Sequence, residues 1–186
     1  ADGFAAPLLD IGVLGVSGDE AVKFLHAQLT NDVEHLPPGE ARWYGYCSPK
    51  GRLLSTFVGW RDDQEIRLAL ARPMAEAMRK RLSMFVLRSK AKVADQSAST
   101  VLFGMGGSAA PAGLESLGIA PPAPMATTVL GPIACIGLAP VRVAERDCPR
   151  WLLVVPRERA QAVWTGLRSA LAEASSSFWR WTEVQA

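Results

Sequence analysis

A chain of 186 residues with 49% apolar content is long enough to bury one core or two small ones, as a soluble globular protein does. Lys and Arg total 20 against 18 Asp and Glu, so the balance of +2 gives no global pull toward nucleic acid or membrane, and any anion site has to be local. Cys47, Cys135 and Cys148 are odd in number and form no Cys-x-x-Cys pair, while His26 and His35 lack ligand spacing; no disulfide framework and no metal site are expected. No run of about 18 apolar residues and no signal-peptide pattern is present, so a cytoplasmic protein that makes no use of a membrane is expected. With Ala1 where an initiating Met would stand, the chain reads as processed or partial.

Residues 11–16 are apolar on both strand faces, and Ser17-Gly18-Asp19 then supplies the hydroxyl, carboxylate and flexible backbone that favour a helix start. Ala21, Phe24, Leu25 and Leu29 recur at helical spacing, predicting a helix with one stripe on the sheet, and Asn31 and Asp32 end it because short polar side chains bond their own backbone. Residues 40–47 and 53–60 form a predicted hairpin through Ser48-Pro49-Lys50-Gly51, which has Pro second and Gly fourth as a type I turn prefers. Arg61-Asp62-Asp63-Gln64 is the next predicted turn, and residues 65–71 alternate as a third antiparallel strand. Pro73 opens a helix whose apolar stripe is read as Ala75, Met78, Leu82, Phe85 and Val86, and residues 92–96 return as a strand.

From Ser99 a similar order begins again. Residues 101–103 are extended, 112–117 helical, and strands are predicted near 127–137, 141–145 and 151–155 before a helix over 156–174 with Ala160, Val163, Trp164, Leu167 and Leu171 on one face. A partly helical aromatic stretch spans 178–184, and the Pro- and Ala-rich segment 108–126 reads as a connection within the second half. The expected class is α+β: two ferredoxin-like, βαββαβ-like halves with mostly antiparallel sheets, divided as 1–97 and 98–186.

Each chemical motif has a plainer structural reading beside it. Gly104-Met105-Gly106-Gly107-Ser108-Ala109 follows a strand, but no acidic residue lies about 20 positions on and no parallel βαβ unit follows, so dinucleotide binding is rejected. Residues 77–94 carry Arg79, Lys80, Arg81, Arg88, Lys90 and Lys92 without an acid; a solvated helix face explains them, and with no aromatic RNA-binding signature RNA is disfavoured as a partner. Lys50-Gly51-Arg52 is a tighter positive cluster whose backbone donors could add to an anion site, or an ordinary hairpin tip. Trp179-Arg180-Trp181 offers aromatic faces for a ring ligand and an Arg for a carboxylate, or a core edge. No Ser-His-Asp set or framed carboxylate pair stands out, so no catalytic residue is named.

The segment LGVSGDEAVKFLHAQLTNDV at 14–33, with Cys47-Ser48-Pro49-Lys50-Gly51-Arg52, resembles the N-terminal portion of the YgfZ-type folate-binding proteins, relatives of the aminomethyltransferase T-protein of the glycine cleavage system. The likeness is sharpest at Gln28-Leu29-Thr30-Asn31-Asp32-Val33 and continues more weakly over 151–186. It implies α+β domains around a folate cavity, tetrahydrofolate or a one-carbon derivative as cofactor, and a role in iron-sulfur enzyme maintenance and tRNA modification through a protein partner. It assigns folate contact to Trp179 and, at the first strand, to the place held here by Ile11, with Asn31, Asp32, Lys50, Gly51 and Arg52 completing the expected site. In the methyl-transferring relatives carboxylates follow the hairpin glycine by three and four residues; Leu54 and Ser55 stand there, which argues against aminomethyl transfer. The family's Lys-Gly-Cys-x-x-Gly-Gln-Glu motif and C-terminal barrel are not in this sequence, and Cys47 is not that cysteine, so the N-terminal portion of a longer protein or a shortened homologue is expected. A folate-binding accessory protein is therefore the leading expectation, with a folate-dependent one-carbon transferase and a noncatalytic protein or RNA interaction module as alternatives.

Overall fold

The computed structural model describes residues 2–63, 65–86, 88–143 and 145–184. The chain divides into two compact units, Asp10–Ala98 and a second made of Ala1–Leu9 with Ser99–Ala186. The first nine residues therefore go with the second half, where the sequence had put them in the first.

Residues 4–7 form the short strand β1 (Phe4–Pro7), which belongs to the second unit. The first unit then runs β2 (Ile11–Ser17), α1 (Ala21–Gln28), β3 (Ala41–Cys47), β4 (Leu53–Asp62), β5 (Glu65–Ala71), α2 (Arg72–Phe85) and β6 (Lys92–Asp95). Its sheet is ordered β3-β4-β5-β2-β6 and antiparallel throughout. Strands β2, β4, β5 and β6 with α1 and α2 carry the βαββαβ order expected, with β3 added at the edge beside β4. Of the turn predicted at Arg61-Asp62-Asp63-Gln64, Arg61 and Asp62 instead extend β4, and Gln64 lies outside the described residues.

The apolar spacing read from the sequence builds this unit's core. Ala21, Phe24, Leu25 and Leu29 of the α1 region and Ala75, Met78 and Leu82 of α2 are buried with Leu14, Val16, Phe57, Ile66, Leu68 and Leu70 of the strands. Two details differ. Neither Ser17 nor Asp19 caps α1: Glu20 is the N-cap residue and makes no side-chain cap, and its carboxylate instead accepts the Lys90 N–H at 2.6 Å. Phe85, read as the end of the α2 stripe, is 52% exposed, because the helix stops there and Val86 turns back to Ser83 with an N–H to carbonyl bond of 3.3 Å.

The second unit contains β7 (Thr100–Gly106), α3 (Ala110–Ser116), β8 (Thr127–Leu130), β9 (Ile133–Val143), β10 (Arg146–Pro156), α4 (Arg157–Ala170), β11 (Ala172–Glu173) and α5 (Ser176–Val184). The extended stretch 127–137 is broken by a turn at Gly131, whose φ of +56° favours glycine, and residues 141–143 continue β9 rather than start a strand. The sheet order is β11-β1-β7-β10-β9-β8. Here β1 occupies the place beside β7 that β6 holds beside β2, and β11 pairs with β1 in parallel. Phe103, Met105, Cys135, Trp151, Leu153 and Val155 bury one sheet face against Leu114, Val163 and Leu167 of α3 and α4.

Gly104 and Gly106, once the skeleton of a rejected nucleotide motif, serve packing. A Cβ on Gly104 would collide with the six-membered ring of Trp179, and one on Gly106 with Phe4. Gly104→Ala is expected to push α5 off β7 and to destabilise the protein by about 1 to 3 kcal/mol in chemical denaturation, the usual cost of overpacking.

Candidate functional site

The Thr30-Asn31-Asp32 corner lies along the otherwise unpaired edge of β3. After α1 the backbone turns extended at Leu29, and the Thr30 N–H donates to the Gly45 carbonyl at 3.0 Å while the Gly45 N–H donates to Thr30 Oγ1 at 2.8 Å. Asn31 Nδ2 donates to the Trp43 carbonyl at 3.2 Å, and its Oδ1 accepts the Asp32 N–H at 2.8 Å. The Asp32 carbonyl accepts from Arg42 and from the Tyr44 hydroxyl, each at 3.1 Å. Backbone groups that would offer another chain a template are thereby engaged, which is how natural sheets blunt an edge.

The Asp32 carboxylate lies among basic side chains, of which His26 accepts the Val33 N–H at its Nδ1. His35 Nδ1 is 2.7 Å from Oδ2, His26 Nδ1 is 3.3 Å from Oδ1, and the Arg42 guanidinium approaches to 3.9 Å. The His35 N–H also donates to Oδ1, and this backbone bond is the main cause holding the carboxyl below its ordinary value, with the His35 side chain adding to it and partial burial opposing.

The β3–β4 turn carries Lys50, Gly51 and Arg52. Gly51 N–H donates to the Ser48 carbonyl at 2.9 Å, Ser48 N–H to the Arg52 carbonyl at 2.8 Å, and Gly51 sits at φ +77° with open space around it. Lys50 and Arg52 are exposed, and among the described residues neither forms an ion pair. Leu54 packs partly against the core and Ser55 is buried opposite Tyr46, so the strand leaving the turn brings no carboxylate to it. Ile11 opens β2, half-buried, paired with Ala71.

Trp179 stands in the other unit, on α5. It is 1% exposed, its six-membered ring lies against Gly104, and the Arg150 guanidinium stands over it at 5.4 Å. Its Nε1 is buried and has no hydrogen-bond partner among the described residues. Arg150, itself only 3% exposed, donates to the Ala139 carbonyl, to Thr182 Oγ1 and to Glu183 Oε1, the last two at 3.1 Å. Burial pulls the Arg150 pKa down, and Glu183 opposes that shift. In the sequence Arg150 shows one signal of this role, a charge opening the apolar run Trp151-Leu152-Leu153-Val154-Val155. Trp181 is 44% exposed and stacks on Phe178 at 5.7 Å. A shallow cleft in the first unit is lined by Asp19, Asp63, Glu65 and Arg61, an acidic balance that repels an anionic ligand.

Two outcomes follow from the corner. Thr30→Val, which removes the acceptor of the Gly45 N–H, is expected to lower stability by about 1 kcal/mol and to speed amide exchange in β3. Because the folded pKa of Asp32 lies below its ordinary value of 3.8, its contribution to stability is complete above that value and is lost as pH falls through the lower folded one; an NMR titration of the Asp32 carboxyl reads this directly.

No family model matches the chain. Over 100 residues, 54% of the chain, it is 30% identical to the tRNA-modifying protein YgfZ of Hamiltonella defensa subsp. Acyrthosiphon pisum (strain 5AT), and the match spans 30% of that protein. The fold is similar to that of the glycine cleavage system aminomethyltransferase T from Bartonella henselae, with a TM-score of 0.78 at 18% identity over 94% of this chain; the chain spans 48%, about half, of that enzyme. A heterotetrameric sarcosine oxidase from Corynebacterium sp. U-96 is similar at a TM-score of 0.55 and 15% identity, over 89% of this chain and 82% of that one. Over about half of its length the chain is similar in sequence to YgfZ, and it has the fold of the glycine cleavage T-protein.

Proposed function

We propose that this chain binds a reduced folate, tetrahydrofolate or a one-carbon derivative, as part of an accessory protein serving tRNA modification and its iron-sulfur enzymes. The observation that carries the reading is the union of a YgfZ match in sequence with the aminomethyltransferase fold over nearly the whole chain. Each unit, taken by itself, carries residues suited to part of the group. Trp179 keeps a buried N–H donor for which the described residues supply no acceptor, and a pterin ring or a glutamate carboxylate offers several. Lys50 and Arg52, with no ion pairs of their own among the described residues, would hold the carboxylates of the glutamate tail, and Gly51 leaves the backbone open to them.

Asn31 and Asp32 act in this reading through β3, whose pairing fixes the hairpin that presents Lys50 and Arg52. Ile11 supplies apolar surface where the related proteins carry an aromatic ring. Trp179 is buried at its ring and at its N–H alike, so in this reading a ligand meets the indole N–H only once α5 shifts from β7. A bound reduced folate supplies a carrier for a one-carbon unit. With Leu54 and Ser55 beyond the turn there is no carboxylate to assist its transfer, so binding rather than turnover is the proposed activity. A cytoplasmic site of action goes with this reading, as Cys47, Cys135 and Cys148 are free thiols.

Titration with tetrahydrofolate under anaerobic conditions, read by tryptophan fluorescence and by a rise in Tm, is expected to saturate in the micromolar range. The absence of any saturable change up to high micromolar ligand would sink the proposal. Trp179→Phe keeps most of the packing on Gly104 but removes the N–H, and is expected to weaken binding about tenfold, the worth of one hydrogen bond of about 1.4 kcal/mol. Lys50→Ala with Arg52→Ala should weaken binding more at low salt than at high salt.

A further inference from the structure

The exposure of Phe85 changes the meaning of the basic segment around it. Read from sequence, Phe85 belonged to the core and the run of cations had no aromatic companion. In the fold, Met84 is 65% exposed and Phe85 52%, side by side on the last turn of α2. Arg81 lies one helical turn before Phe85, and Lys80 one turn before Met84, so each exposed apolar side chain has a cation as its neighbour on the helix surface. Beyond the helix, Arg88, Lys90 and Lys92 are exposed on the segment leading into β6.

Acids among the described residues take up only Arg79 and Lys80 of this segment's cations. Glu76 pairs with Arg79 at 2.8 Å and with Lys80 at 3.4 Å, and the Glu20 carboxylate is held by the Lys90 backbone N–H. Asp95, on β6, bears on Arg79. Among the described residues Arg81, Arg88, Lys90 and Lys92 form no ion pair, and Arg81 is placed over the Tyr46 ring at 6.0 Å. The result is a positive surface on which Phe85 stands exposed one helical turn after Arg81.

We infer that the C-terminal end of α2 and the segment after it form an RNA-binding surface, with Phe85 stacking on an unpaired base and Arg81, Arg88, Lys90 and Lys92 contacting phosphates. The partner class rests on the proposed service to tRNA modification; the surface itself rests on exposure and charge. Single-stranded segments are bound by this combination, because every base has a face to stack and the backbone supplies the anions. A membrane fits less well. The apolar stripe of α2, Ala75, Met78 and Leu82, is already buried in the protein, and two exposed side chains give little area for insertion.

The test uses the whole chain with an unmodified tRNA transcript, followed by fluorescence anisotropy between about 50 and 200 mM salt, where phosphate contacts give a steep salt dependence. Phe85→Ala is expected to weaken binding on the order of tenfold at every salt concentration, as loss of one stacked base does. Arg81→Gln with Arg88→Gln is expected to flatten the log-log salt slope by about 1.5, from two lost phosphate contacts. Salt-independent binding, variants that bind like the parent chain, or tighter capture by vesicles of phosphatidylcholine and phosphatidylglycerol than by RNA would each overturn the inference. The Phe85→Ala protein should bind tetrahydrofolate like the parent. Loss of folate binding with RNA binding intact would count against the folate reading alone, and the reverse against this surface alone.

Discussion

Closure of the β3 edge is the constraint on which the first unit depends. A strand at the margin of a sheet leaves alternate N–H and carbonyl groups facing outward, and here the residues that end α1 take them up: Thr30 with Gly45, Asn31 with Trp43, and the Asp32 carbonyl with the side chains of Arg42 and Tyr44. Polar residues that stop a helix thus become the partners of a strand more than ten positions later. The same contacts fix where β3 runs, and with it the turn that projects Lys50 and Arg52. Gly45 is part of this arrangement, since a Cβ there would meet Thr30 and Leu53. A sequence motif that looks like a ligand corner is, in the first instance, the seam that holds the hairpin in place.

The second unit solves a related problem by borrowing. Its own last strand is two residues long, too short to complete the sheet beside β7, and β1 from the start of the chain fills that position. The order β2 to β6 is therefore repeated from β7 to β11 with one substitution in space. The helix that follows, α5, lies on the sheet by way of Trp179, which demands glycine at position 104, and Arg150 anchors its far end through Thr182 and Glu183. A buried guanidinium is tolerable only with such a set of acceptors, because removing one leaves an uncompensated charge.

What was legible in the sequence was periodic. The stripes of α1 and α2, the alternation of β5 and the Pro-Lys-Gly turn each express a local spacing, and all were recovered with the α+β class and its antiparallel sheets. What escaped was decided by partners far along the chain. Phe-Ala-Ala-Pro has no alternation to mark it as a strand, and β1 exists because β7 pairs with it. Arg150 is charged where the pattern asks for apolar, and only the arrival of Thr182 and Glu183 makes its burial tolerable. Phe85 matched the helical period, yet the helix ended beneath it. The sequence also placed a cap at Ser17 and Asp19, whereas the chain reversal at Gly18, with φ +110°, leaves those side chains out of the first turn and draws the Lys90 backbone against it.

The indole of Trp179 joins packing to the proposed ligand. A buried donor without an acceptor costs about 1 to 3 kcal/mol, and a protein that kept the shape without the cost would carry phenylalanine. Trp60, fully buried on β4, leaves its own Nε1 in the same state. On the folate reading the cost at Trp179 is recovered when an acceptor on the ligand meets the N–H, so that occupancy and stability rise together. Chemistry on the folate would ask for a carboxylate as well, and the turn that would present one continues instead into Leu54 and Ser55, side chains turned over to the core.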